Sequence, residues 1–219
     1  MVGLVRSTLA EQAYQELMHR IVSGEFPAGY RLLPEELGQM LSISPTPVKE
    51  ALAMLARDGL IEAASRRGSL VRRFSAQDIG DIYEARLMIE SRAIRVGLGT
   101  GRVDREFISR LSECAALYTS QARRQTRDGL GQALQADQAL HTLLGSLTRN
   151  QLIAEWHQKL LRQSQTVRVW TVEIYNFRAA TQEHAAIVAA MEARDTEAAV
   201  SALERHLARS RDDLAARFA

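Results

Sequence analysis

Proline is scarce and lopsided in this 219-residue chain: there are four, all before residue 48, and none from Ser75 to Ala219. The second stretch therefore carries no residue that removes a backbone donor, and helices can run through it without interruption. Cysteine occurs once, as Cys114, which excludes an internal disulfide and fits a reducing compartment; a small apolar helix residue is a sufficient account of it. No run of 18 apolar residues exists, which excludes a membrane-spanning helix. The N-terminal Met1-Val2-Gly3-Leu4-Val5-Arg6 is too short and too soon charged for a secretory signal. A cytoplasmic protein without a membrane partner is the expectation. A hydrophobic content of 46% excludes a mainly disordered chain, and the length suffices for two modest domains.

The most informative segment is 41–61, where a polar, Pro-containing turn opens into a short amphipathic helix closed by Asp58-Gly59. Ser44 is a suitable N-cap, and Pro45 and Pro47 fall in the first turn, where the backbone N–H groups have no intrahelical partner to lose. Val48, Leu52 and Leu55 share one face, so the helix packs inward and leaves Thr46, Lys49 and its first turn for a partner. Upstream, Leu9, Ala13, Leu17, Ile21 and Val22 make a helical stripe that ends at the breaker run 23–29. Pro34 to Leu41 reads as a second short helix with Leu37, Met40 and Leu41 inward. Residues 60–64 and 69–73 read as two strands around the turn Ser65-Arg66-Arg67-Gly68, a hairpin placed as a wing would be. Residues 1–74 hold nine Arg/Lys against eight Asp/Glu, but Arg66, Arg67, Arg72 and Arg73 gather positive charge at the hairpin, which matters more than the sum.

This segment resembles the winged helix-turn-helix of GntR-type bacterial transcription regulators. The residues that carry the resemblance include Pro27-Ala28-Gly29, Arg31-Leu32, Thr46-Pro47-Val48, Glu50-Ala51-Leu52, Asp58-Gly59-Leu60-Ile61 and Arg67-Gly68. The resemblance implies that Ser44, Thr46 and Lys49 work at the major groove or its phosphates, and that Arg66, Arg67 and Gly68 enter the minor groove as the wing tip. Position 45 is Pro where many relatives have Arg, and position 49 is Lys, so neither offers a bidentate contact to guanine.

From Ser75 onward Ala, Leu, Glu, Arg and Gln dominate and turn-forming glycines are sparse, which is helix-bundle composition. Six helices are expected, over about 76–98, 103–125, 130–146, 150–171, 176–193 and 196–217. The expected fold is thus mainly α: a winged helix-turn-helix over 1–74 and an all-α antiparallel bundle over 75–219.

Polar residues interrupt the apolar stripes of the bundle at a few positions. Leu130, Leu134, Asp137, His141 and Leu144 step by helical spacing, which puts Asp137 and His141 on the inward face one turn apart. His184 leads the stripe Ile187, Val188, Met191, and His206 lies between Leu203 and Leu207. Burying such groups is costly unless something pairs with them. An aspartate and three histidines suit a nitrogen-rich divalent metal site, zinc first, with nickel or manganese as alternatives. Unrelated, hydrogen-bonded core histidines are the competing account. His157 and His19 read as surface or packing residues.

The same residues, with the segment Ile82 to Glu90, resemble the six-helix effector domain, termed FCD and of the VanR-like form, of the FadR subfamily of GntR regulators. Many members of that group bind a metal through such residues and respond to small organic acids. In that light Arg86, which interrupts the stripe Ile79, Ile82, Ile89, Ala93, is a candidate anchor for an effector carboxylate; an ion pair with Glu90 one turn away is the alternative. The resemblance implies a homodimeric regulator, by default a repressor, on a palindromic DNA operator. Two rivals stand beside it. A metal-dependent hydrolase would need a general base that no His-Glu-x-x-His pattern supplies, and a metal-free helical interaction module would need neither ion nor ligand.

Overall fold

The computed structural model describes residues 7–63, 68–170 and 176–218. The chain divides into two compact units, 1–73 and 74–219. The first begins with α1 (Leu9–Val22), started by a capping box in which Thr8 and Glu11 satisfy each other's backbone N–H groups. After β1 (Arg31–Leu32) come α2 (Pro34–Leu41) and α3 (Pro45–Arg57), joined by a turn whose Ser42 is left-handed at φ 57°. The strands β2 (Ile61–Ala63) and β3 (Ser69–Val71) close the unit. They form an antiparallel sheet ordered β1-β3-β2, with Arg31 opposite Leu70 and Ile61 opposite Val71. The hairpin was legible in the sequence, whereas β1 joins the sheet from a segment too short to show any alternation.

Helix α3 packs on α1 and α2, burying Val48, Ala51, Leu52 and Leu55 from its own face and Ala13, Leu17 and Ile21 from α1. Gly59 follows it at φ 71°, the conformation that ends a helix at little cost only with glycine. Two expectations fail locally. Ser44 takes the N-cap position, but its side chain makes no capping hydrogen bond; Pro47 at the third helical position has no N–H, which removes one of the donors a cap would serve. Met40 is 42% exposed rather than inward, because Leu37 and Gly38 already fill the buried side of the two-turn α2.

The second unit contains, among the described residues, the six helices α4 (Ala76–Gly99), α5 (Arg105–Ala122), α6 (Arg127–Ser146), α7 (Gln151–Trp170), α8 (Phe177–Glu192) and α9 (Thr196–Ala215). Their starts carry side-chain caps: Ser75 with Asp78 as a capping box, Asp104, Thr126, Asn176 and Asp195. Phe74 packs on Trp170 and belongs to this unit, one residue earlier than the expected division after 74. The core joins Ile79, Ile82 and Ile94 of α4 to Leu140 and Leu144 of α6, Ile187 and Met191 of α8, and Leu203 and Leu207 of α9. No helix among the described residues is long and apolar enough to cross a membrane.

Helices α6 and α7 approach where Gly145 faces the buried imidazole of His157. A Cβ at 145 would land inside the van der Waals envelope of His157 Nδ1. Gly145→Ala should therefore destabilise the protein by about 1–3 kcal/mol, the usual cost of overpacking, despite alanine's better helix propensity. Urea denaturation of the full chain measures it; an unchanged midpoint would mean that the two helices can part.

Candidate metal centre and DNA-reading surface

The four residues singled out in the bundle come together. Asp137 and His141 from α6, His184 from α8 and His206 from α9 are all buried, and one ligand atom from each lies within 4.8 Å of the others. His141 Nε2 is 3.2 Å from His206 Nε2, and His184 Nε2 is 3.1 Å from Asp137 Oδ1. The imidazoles of His141 and His206 stack with centroids 5.2 Å apart, and Tyr118 of α5 meets His184 edge-on.

Two further carboxylates set the state of these rings. His141 Nδ1 lies 2.6 Å from Glu90 Oε2, and His206 Nδ1 lies 2.8 Å from Glu183 Oε2. Burial works against the charge of Glu90, yet His141 and Arg86 beside it, with hydrogen bonds from His141 and His157, hold it well below the usual carboxylate range. Glu183 is likewise partly buried, but hydrogen bonds from His206 and Arg209 bring it down to about 2. Burial pushes His141 down, and His206 down to about 3, against the pull of the same carboxylates. Both rings are thus neutral at pH 7, with Nδ1–H donating to an anion and a lone pair on Nε2. Those lone pairs face each other at 3.2 Å. His184 adds a third imidazole, neither of whose nitrogens meets hydrogen-bond geometry despite full burial. Two ring nitrogens facing each other with no hydrogen between them is an arrangement that a cation satisfies and ordinary core packing does not.

Asp137 completes the set as an anion. Burial opposes its charge, but Arg168 of α7 outweighs that, pairing through Nη1 with Oδ2 and through Nη2 with Oδ1 at 2.8 Å. Each carboxylate oxygen has two lone pairs, so pairing with Arg168 does not remove Asp137 as a ligand. Arg86 forms the ion pair foreseen as the alternative to effector anchoring: Nε donates to Glu90 Oε1 at 3.0 Å and Nη1 to Ser164 at 3.2 Å. Its Nη2 is buried without a hydrogen-bond partner. Of the two alternatives for His157, surface or packing, the structure shows packing: it is buried, and its Nε2 sits 3.0 Å from Glu90 Oε1. His19 is exposed. The sequence reading missed Glu183 and Arg168 and saw Glu90 only as a partner for Arg86. Glu183 stands beside His184 in sequence, whereas Arg168 lies on a buried face of α7 with Leu161, Ser164 and Gln165.

In the first unit Ser44, Thr46 and Lys49 are exposed on the side of α3 opposite its buried face. Lys49 Nζ is 3.9 Å from Glu35 Oε1, with both groups largely solvated. Lys49 and Gly68 line one groove together with Pro34, Leu52 and Ser69, so α3 and the second hairpin strand share a surface. Gly68 has φ 93°. Arg66 and Arg67 lie outside the described residues.

A family model for bacterial regulatory proteins of the gntR family matches residues 9–71, and one for the FCD domain matches residues 81–209. The chain belongs to the GntR family and carries an FCD domain. The relative YdhC of Bacillus subtilis (strain 168), described as an uncharacterized HTH-type transcriptional regulator, is 32% identical over 85 residues, which span 39% of this chain and 38% of that one. BphR of Paraburkholderia xenovorans (strain LB400), described in the same terms, is 29% identical over 211 residues, covering 94% of this chain and 84% of that one. The crystal structure of a GntR transcriptional regulator from Rhodococcus sp. RHA1 has the same fold, with a TM-score of 0.83 at 24% identity over 97% of this chain and 100% of that one. Other relatives are named as operon repressors. GntR proteins are transcription regulators that bind DNA operators, not enzymes, so the hydrolase reading falls.

The neutral histidines give the GntR protein's stability a pH signature. His206 has a folded value of about 3 against an ordinary 6.5, so below pH 6.5 the unfolded chain takes up a proton that the folded chain refuses, and His141 acts in the same direction. Stability of the metal-free protein should fall as pH drops below 6.5, by about 1.4 kcal/mol per pH unit for each such proton. Glu183, with an ordinary value of 4.5 and a folded value of about 2, adds its own loss only below pH 4.5. Urea midpoints at pH 7.5 and 5.5 check this: His206→Gln should shrink the difference between them, and an equal difference would show that His206 titrates normally.

Proposed function

We propose that this GntR-family protein is a homodimeric repressor whose FCD domain holds a divalent metal, zinc first with nickel or manganese as alternatives, and senses a small carboxylate. The observation that carries the reading is the convergence, in a buried space, of the Nε2 atoms of His141 and His206, which face each other at 3.2 Å, with His184 and the Asp137 carboxylate. These four residues would hold the ion, and when bound it supplies a Lewis-acidic point for a carboxylate oxygen. Arg86, with Nη2 still unpaired, would take the other end of that carboxylate. Ser44, Thr46 and Lys49 of α3, with Arg66, Arg67 and Gly68 of the wing, would contact DNA, and two copies on a two-fold axis would read a palindrome in the cytoplasm. Ligand binding relieves repression only through a difference in affinity between DNA-competent and DNA-free arrangements.

Elemental mass spectrometry of the untagged protein tests the reading. About one transition metal per chain is expected, and His184→Ala should lose it. No metal in wild type, even after zinc loading, would leave a metal-free helical module. Lys49→Ala tests the DNA surface: weaker operator binding, with the slope of log affinity against log salt reduced by about one, marks a phosphate contact. A loss confined to one base pair would instead make Lys49 a base reader.

A further inference from the structure

We propose that Glu90 is a positioning residue of the centre: its carboxylate, oriented by Arg86, keeps the proton of His141 on Nδ1 and so leaves Nε2 free to ligate. The inference rests on the metal reading above and adds the group that prepares one of the ligands.

Glu90 is fully buried on α4 and accepts from three directions. Arg86 Nε and His157 Nε2 each lie 3.0 Å from Oε1, and His141 Nδ1 lies 2.6 Å from Oε2. The arginine decides how a replacement can be seated, because a guanidinium donates and never accepts. An amide at position 90 must turn its carbonyl toward Arg86 Nε. Its NH2 then faces His141 Nδ1, which can only accept. The imidazole proton moves to Nε2, 3.2 Å from His206 Nε2 and 3.7 Å from Asp137 Oδ2, and a nitrogen that carries hydrogen cannot ligate. Glutamine has the shape of glutamate, so a purely space-filling role would tolerate it. The corresponding group on His206 differs. Glu183 is 20% exposed, so water can replace it there, whereas Glu90 at 0% has no such substitute. Gly145 and His157 close the far side: the ring of His157 is held against α6 only because position 145 has no Cβ.

The test compares wild type, Glu90→Gln and the double variant Arg86→Met/Glu90→Gln, each with 15N-labelled histidine. Long-range 1H–15N spectra of the metal-free proteins report which ring nitrogen carries the proton, and competition with a chromophoric chelator reports zinc affinity. In wild type His141 should be the Nδ1–H form. In Glu90→Gln it should switch to Nε2–H, and the zinc Kd should rise about 10–100-fold. Removing Arg86 as well frees the amide to turn its carbonyl to His141, so the double variant should recover the Nδ1–H form and most of the affinity. An unchanged tautomer and affinity in Glu90→Gln overturns the inference while the metal centre stands. Wild type that binds no zinc overturns the metal reading and the inference with it. Should Glu90→Gln not fold, Glu90→Asp carries the test, since it keeps a charge for Arg86 but withdraws the carboxylate from His141: a tenfold or greater loss of zinc affinity upholds the inference, and wild-type affinity overturns it.

Discussion

Polar groups inside the helix bundle must each find a partner, and the arrangement of the second unit follows from how that demand is met. An unpaired carboxylate in such a core is costly enough that it would rather take up a proton. Here Glu90 and Asp137 stay charged because Arg86 and Arg168 are buried with them, each from a neighbouring position or helix. The two anion–guanidinium pairs fix the rings around them: Glu90 orders His141 and His157, and Asp137 lies beside His184. Removing one member of such a pair leaves an uncompensated charge, which costs more than the pair contributes. Within the four-residue cluster these pairings leave the Nε2 atoms of His141 and His206 facing each other with no hydrogen between them.

The division between what the sequence discloses and what it hides follows from the range of the interactions. Helices α1 to α3, the hairpin and all six bundle helices are written in local terms: caps, spacing of apolar residues, and breakers. Asp137, His141, His184 and His206 were visible as polar interruptions of apolar stripes, and their convergence needed only that each stripe face a common core. The supporting shell had no comparable signal. Glu90 reaches His141 across 51 positions and Arg168 reaches Asp137 across 31, and neither helix face announces it. The sequence leaves His157 between surface and packing for a related reason. Its neighbour Trp156 is 61% exposed while His157 is buried, and what admits the ring is the gap left by Gly145 on another helix.

In the first unit the same economy of local rules produces a reading head with little charge to spare. Lys49 stands near Glu35, and the segment as a whole is almost neutral. A DNA-binding unit of that kind gains little from long-range attraction, so its affinity depends on where its few cations stand and, on the proposed reading, would also draw on the backbone and hydroxyl groups around Thr46. With Pro at position 45 and Lys at position 49, neither side chain could make a bidentate guanine contact if α3 is the reading helix proposed above. On the proposed reading, sequence preference would rest more on hydroxyl and apolar contacts and on the shape of the DNA, and a second copy would matter, because two weak half-site contacts on a two-fold axis multiply.

Arg86 ties the proposed effector to the proposed metal. Its Nε is committed to Glu90, which in turn holds His141, so a carboxylate that takes Nη2 shares a guanidinium with the group that orients a ligand. If both occupants bind, each must change the other's affinity by the same factor, whichever sign the coupling takes. A metal that stabilises only the folded unit also restricts which arrangements the effector can select, since it binds the native state and not the unfolded one. The ion in this scheme is therefore more than an attachment point for the ligand: together with Glu90 it fixes the geometry of the site, against which the effector's differential affinity has to be measured.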